Sequence, residues 1–295
     1  MNTVLVTGAT GKIGSQLVPR LAARDGIAVR ALVRNAENAT PLTAAGAQLT
    51  LGTLEDARAV RAAVAGIDTL VLITAANPDA ADQAHMVLSA ARAAGVRKIV
   101  RISVFKAAVD GPTAVTRLHG RTESEIQDSG LTYVIVRPPF FMQNLFFMAA
   151  PSVAREGKLY FGTGEGKLGI IDLRDIVDCV EQSVVADTHD NQIFTLTGPE
   201  SISFRDIADR LTTILGRPVQ YIVMPPEAVE QSIRALGMGD WYAGVMRDLC
   251  TAYRDNWGDV TTDDVARLAG HAPRSFDAFA RELFAPALAR GSPTR

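Results

Sequence analysis

Read for its apolar and polar positions, the first half of the chain resolves into short runs, several of them almost wholly apolar, separated by amphipathic stretches. The runs are Val4-Leu5-Val6, Ala28 to Val33, Gln48 to Leu51, Thr69 to Thr74, Lys98 to Ile102 and Thr132 to Val136. A strand that is apolar at nearly every position is buried on both faces, as strands of a parallel sheet are. Between the runs, apolar residues recur at helical spacing, with Ile13, Leu17 and Leu21 in one stretch and Val60 and Val64 in another. Thr53 is the expected cap of the second of these helices. A further helix is expected from Pro78 or Asp79 to Ala94, with Gly95 as its stop. This alternation predicts βαβ units and a doubly wound parallel sheet of the α/β, Rossmann class, with ligands outside the carboxyl ends of the strands.

Beyond Pro139 the pattern changes. Phe140 to Met148 is aromatic but interrupted by amides. It reads either as the start of a core helix or as the wall of an apolar substrate pocket, with Asn144 as its polar contact and Phe141 and Phe147 beside it. Gly162 to Gly169 carries glycines with no strand feeding it, so a loop is expected there. A helix over Leu173 to Val185 and a strand over Gln192 to Thr197 return to the nucleotide sheet. Ser203 caps a helix that ends at Gly216, Val219 to Val223 is strand-like, and helices start at Glu227, Asp240 and Ser275. The expected division is a nucleotide-binding domain of 1–145 and 170–198, and a smaller, α-rich substrate domain of 146–169 and 199–295.

The chemistry starts at the first strand. Val4-Leu5-Val6 runs into a turn bearing Gly8, Gly11 and Gly14, and a helix follows directly. Gly8 allows the sharp turn, Gly11 lets backbone N–H groups approach a pyrophosphate, and Gly14 lets the helix pack against its strand. Phosphates would sit at the helix N-terminus, where unpaired N–H groups and the helix dipole favour anions. The spacing is G-x-x-G-x-x-G, and a turn built only for packing is the competing reading. The second strand ends on Arg34, with no carboxylate before Glu37. An arginine there suits a ribose 2′-phosphate, where an acidic residue would suit a free hydroxyl. Lys12 adds a second positive charge, so NADP(H) is expected ahead of NAD(H). Gly8, Thr10, Gly11, Lys12, Ile13, Gly14 and Arg34 are the expected cofactor residues, joined at later strand ends by Thr74, Ala75, Ala76, Ser103, Pro138 and Phe140.

Composition narrows the field. The formal net charge is −2 over 295 residues, which leaves no basic field for nucleic acid. Cys179 and Cys250 are the two cysteines, so neither a disulfide framework nor a structural zinc site is indicated. The four histidines, His85, His119, His189 and His271, show no metal-ligand spacing, and no metal is expected. There is no G-x-S-x-G elbow for a serine hydrolase. No apolar stretch approaches the ~20 residues of a membrane helix, and the expectation is a cytoplasmic protein acting on a small molecule, with a homodimer left open.

Four stretches together carry a family resemblance: TGATGKIG, the LVR after the second strand, LHGRTESEIQDSGLTYVIVRPPFFMQN at 118–144, and LTGPESISFRDIADRLTTILGRPVQYIVMP at 196–225. Their combination resembles the NmrA-like branch of the atypical short-chain dehydrogenase/reductases, which includes NADPH:quinone reductases, triphenylmethane reductases, isoflavone-reductase-like enzymes and the regulator NmrA. Most short-chain dehydrogenases use Tyr-x-x-x-Lys, yet none of this chain's tyrosines has a lysine four residues on. In the family register His119 and Glu123 take those two places, one helical turn apart. Isoflavone-reductase-like enzymes carry a catalytic lysine where His119 stands; a histidine with its ordinary pKa of ~6.5 would serve as an acid there, and the competing reading is that it only hydrogen-bonds the cofactor's ribose or nicotinamide. The resemblance implies catalytic roles for His119 and Glu123, and NADPH-dependent hydride transfer to a quinone or a related conjugated carbonyl or imine. It also leaves room for a non-catalytic NADP(H)-sensing regulator of the NmrA type.

Overall fold

A computed structural model describes residues 1–290. Its elements, in chain order, are β1 (Asn2–Val6), α1 (Gly14–Ala22), β2 (Ile27–Val33), α2 (Thr40–Ala44), β3 (Gln48–Leu51), α3 (Ala57–Val64), β4 (Thr69–Leu72), α4 (Ala80–Ala93), β5 (Lys98–Ile102), α5 (Ala114–Asp128) and β6 (Thr132–Val136). The chain then runs through α6 (Asn144–Met148), α7 (Ala150–Glu156), β7 (Lys158–Phe161), β8 (Lys167–Leu168), α8 (Leu173–Val185) and β9 (Gln192–Phe194). Next come β10 (Ile202–Ser203), α9 (Phe204–Leu215), β11 (Gln220–Val223), α10 (Pro226–Ala235) and α11 (Asp240–Arg254), followed by shorter helical turns.

Seven of these strands form one parallel sheet in the order β3-β2-β1-β4-β5-β6-β9. Val4 on β1 lies opposite Val29 on one side and Thr69 on the other. Every residue of β4 and β5 is buried, as expected of strands covered by helices on both faces. The order reverses between β1 and β4, and a ligand crevice belongs outside the carboxyl ends of such a pair.

The chain divides into two compact units. The first is Met1–Arg137 with Ile176–Thr195, and the second is Pro138–Asp175 with the chain from Leu196 onward. Residues 138–145, 170–175 and 196–198, assigned from sequence to the nucleotide domain, fall in the second unit. The first unit has an aliphatic core that includes Leu5, Leu32, Leu70, Leu72, Val87, Ile99 and Ile135. Within it, buried Glu181 of α8 accepts from Arg20 (2.5 Å) and Arg24 (2.6 Å) of α1. The second unit's core is aromatic, with Phe161, Phe204, Phe276, Phe279 and Phe284 among its buried residues. Its strands pair as β7 with β11, parallel, and β8 with β10, antiparallel.

Local chemistry corrects some expected boundaries. Asp56, not Thr53, caps α3, its carboxylate accepting from the N–H groups of Arg58 and Ala59. The stretch expected as a loop at Gly162 to Gly169 contains β8, and α4 begins at Ala80. Ser203 does cap α9, in a capping box with Asp206, and Gly216 closes that helix with a φ of +64°. Among the described residues no helix is long and apolar enough to cross a membrane.

Candidate cofactor and active site

The glycine turn is held by a residue that the sequence reading passed over. Thr7, fully buried after β1, donates its hydroxyl to the Ile73 carbonyl (2.8 Å) and accepts from the Ile73 N–H (2.8 Å). These bonds pin the turn to the chain leaving β4. Gly8 sits at φ +58°, where a side chain is strained, and its carbonyl accepts from Gly11 N–H at 2.9 Å. A Cβ at Gly14 would lie 2.5 Å from the Gly8 oxygen and 2.6 Å from Ala9 Cα. The start of α1 thus packs on the turn itself. Thr10, Gly11 and Lys12 are exposed, Ile13 and Gly14 are buried, and no side chain caps α1. That arrangement suits a pyrophosphate, whose oxygens would take the place of a capping side chain.

Arg34 follows β2 and is exposed. It makes no ion pair within 4 Å among the described residues, while Glu55 is close enough to feel its charge. The guanidinium is therefore available to a 2′-phosphate. Residues 74–76 follow β4, with Thr74 half-buried and Ala75 and Ala76 exposed.

Past β5 lies a buried polar cluster. Helix α5 starts with a capping box between Thr113 and Thr116. Gly120 leaves no room for a side chain against Ala108 and Val109. The helix is thereby set so that His119 and Glu123, one turn apart, both face inward at 6% and 2% exposure. His119 Nδ1 lies 3.2 Å from Arg101 Nη2 and 3.3 Å from Ser103 Oγ. Ser103 donates to Glu123 Oε1 in a short hydrogen bond. Arg137 Nε donates to both Glu123 oxygens at 3.0 Å, and its Nη2 adds a further bond. Glu123 is a carboxylate held in place on several sides.

The surroundings of His119 bear on its protonation. Burial, reinforced by the adjacent Arg101 charge, holds its pKa well below the ordinary histidine range. In this environment burial and the Arg101 charge both disfavour the imidazolium form. Arg101 is itself lowered by burial to about 10, with Glu123 opposing that shift.

The remaining sequence-assigned residues lie in the second unit. Pro138 is buried. The ring of Phe140 packs on Phe161 (5.9 Å) and Phe204 (5.6 Å). Phe141 pairs with Ile171 in an isolated bridge, Asn144 is the first residue of α6 and half-buried, and Phe147 is 56% exposed. The aromatic stretch expected as either core or pocket wall divides: Phe140 joins the core and Phe147 does not.

An NAD(P)H-binding family model matches residues 8–149. An NAD(P)H azoreductase of Xenophilus azovorans is 34% identical over 278 residues, 94% of this chain and 96% of that protein. The chain belongs to the NmrA-like branch of the atypical short-chain dehydrogenase/reductases. It is an NAD(P)H-dependent oxidoreductase without the Tyr-x-x-x-Lys pair. A (4-alkanoyl-5-oxo-2,5-dihydrofuran-3-yl)methyl phosphate reductase of Streptomyces griseus is 32% identical over 79% of this chain and 80% of its own length. Among solved structures, an NADPH-dependent quinone oxidoreductase of Escherichia coli complexed with NADPH superposes with a TM-score of 0.86 at 25% identity, covering 95% of this chain and 99% of that one.

Reading the sequence of this reductase missed Arg101, Arg137 and Thr7. Arg101 had a visible signal, since it is the lone charge inside the otherwise apolar run IVRI of a central strand. A charge in such a strand must find partners. Thr7 and Arg137 carried no comparable signal, because both stand at strand ends where polar residues are ordinary.

Proposed function

We propose that this reductase passes hydride from NADPH to an apolar, conjugated electrophile, a quinone or a related conjugated carbonyl or imine. The observation that carries this reading is the state of His119, buried and neutral at the place where most of the superfamily keeps its proton donor. Reducing an isolated ketone leaves an alkoxide, which needs an acid at the moment of hydride transfer. A quinone instead leaves an aryloxide stabilised by conjugation, which can take its proton from water afterwards. Bound NADPH supplies the hydride, and the protein's share is binding, orientation and exclusion of water.

Gly8 to Gly14 would hold the pyrophosphate and Arg34 the 2′-phosphate, with Thr74 to Ala76 and Ser103 beside the rest of the cofactor. His119 is the hydrogen-bonding group proposed nearest the reaction, and Glu123 holds Ser103 and Arg137 in position. Phe141, Asn144 and Phe147 are the proposed substrate residues of the second unit. The relatives' names support the class, since they cover an azo group, an unsaturated oxo-dihydrofuran and a quinone. The test is NADPH oxidation against a panel of quinones, enones, imines, azo dyes and saturated ketones. Turnover with the conjugated acceptors well above that with ketones is expected. Saturable NADPH binding with no turnover on any of them would instead favour a cofactor-sensing regulator.

A further inference from the structure

Arg101 has no solvent exposure and lies within an all-buried strand. A guanidinium there calls for a carboxylate partner. The carboxylate it feels, Glu123, is already engaged by Arg137 on both oxygens and by Ser103. Arg101 instead donates to neutral acceptors, the Leu72 carbonyl (3.2 Å), Thr74 Oγ1 (3.0 Å) and the ring of His119 (3.2 Å), and its buried Nε finds no protein partner.

The direction of the contact to His119 is set by chemistry. A guanidinium has five N–H donors and no acceptor. Nδ1 of His119 must therefore present its lone pair to Arg101, which leaves the ring proton on Nε2. Ser103 does not compete, because Glu123 can only accept and takes the single Ser103 proton, leaving none for Nδ1. Without Arg101 the same atoms allow the opposite arrangement, in which Nδ1–H donates to Ser103 Oγ and Ser103 donates to Glu123. The charged groups facing His119 are Arg101 from β5 and Glu123 from α5, with Arg137 behind Glu123 at the end of β6.

We propose that Arg101 is a positioning residue that selects between these two arrangements, fixing His119 as the neutral Nε2–H tautomer so that it meets the site as a hydrogen-bond donor. The proposal rests on reading His119 as a site residue, but on no choice of substrate. Its test is imidazole-nitrogen NMR on the full-length chain carrying labelled histidine. The wild type should show an unprotonated Nδ1 and a protonated Nε2 for His119, unchanged from about pH 5.5 to 8. Arg101→Met should exchange the two signatures, Arg101→Lys should restore the original ones at least in part, and Ser103→Ala should leave them as in the wild type.

A wild-type Nδ1–H tautomer, an imidazolium in that range, an Arg101→Met spectrum like the wild type, or a switch caused by Ser103→Ala would each overturn the proposal. If Arg101→Met fails to fold, the proposal still falls on a wild-type Nδ1–H tautomer or on a switch caused by Ser103→Ala. The readout needs no substrate, so a failed turnover assay and a failed tautomer assignment stay distinguishable.

Discussion

Cofactor choice and proton supply are proposed to turn on single residues. Arg34 stands exposed at the end of β2 with no ion pair among the described residues, so its guanidinium would be open to a 2′-phosphate. A charge-assisted contact of this kind contributes about 1.5 to 3 kcal/mol, roughly tenfold or more in affinity. Arg34→Ala should weaken NADPH binding by that factor in calorimetric titration and leave NADH binding nearly unchanged. Equal weakening of both cofactors would place the 2′-phosphate elsewhere. His119 presents a different case, because a buried neutral ring already lacks the acidity of an imidazolium. Loss of a true general acid typically costs ~10²-fold in turnover. For His119→Ala at saturating NADPH, turnover of a quinone should instead fall by less than about tenfold. A hundredfold loss on the quinone would mean that the ring does deliver the proton.

The glycine turn and the helix start act as elements, and here two neighbouring glycines part company. Gly11 is exposed, and a Cβ there would meet only the Gly8 oxygen at 3.1 Å, a contact that small shifts relieve. At Gly14 a Cβ would press on fixed backbone at 2.5 and 2.6 Å. Gly11→Val should therefore fold normally by circular dichroism yet lose NADPH binding, whereas Gly14→Val should unfold. A folded Gly11→Val that binds NADPH as the wild type does would reduce the turn to a packing device. On α5, buried Thr113 accepts from Thr116 N–H. Thr113→Val removes that cap and should cost about 1 kcal/mol in urea unfolding, within a range of roughly 0.5 to 2. Strands such as Lys98–Ile102 and the turn after β1 were legible because burial on both faces and glycine spacing leave local patterns. The stretch that forms α6 stayed open between core helix and pocket wall, since its residues are shared between core and surface by packing that alternation does not encode. The Arg101–His119–Ser103 contacts were equally hidden, because they join residues far apart in sequence and depend on which way each side chain turns.

At the scale of the molecule, each unit closes its own core, aliphatic in the first and aromatic in the second, and the chain crosses between them after residues 137, 175 and 195. Below about pH 6.5 a loss of stability should arise in the first unit, where His119 is buried. In the folded state its pKa lies well below the ordinary value of ~6.5 that the unfolded chain restores. Between those two values the unfolded state binds the extra proton. The His119 contribution is thus fully present above about pH 6.5 and is lost as pH falls towards the folded value, at up to about 1.4 kcal/mol per pH unit. Asp175 of the second unit is shifted the other way, raised by burial from the ordinary aspartate value. Its effect is shared by wild type and His119 variants and cancels in their comparison. Trp241 and Trp257 both lie in the second unit, so fluorescence reports on the wrong part of the chain, and far-UV circular dichroism is the suitable signal. Urea unfolding at about pH 7.5 and about pH 5.5 should show the wild type losing on the order of 1 kcal/mol more than His119→Gln, whose amide oxygen can still accept from Arg101 without taking up a proton. Equal losses in the two proteins would mean that His119 titrates in the folded protein as it does in the unfolded chain, and that the buried neutral ring is not the working state of this site.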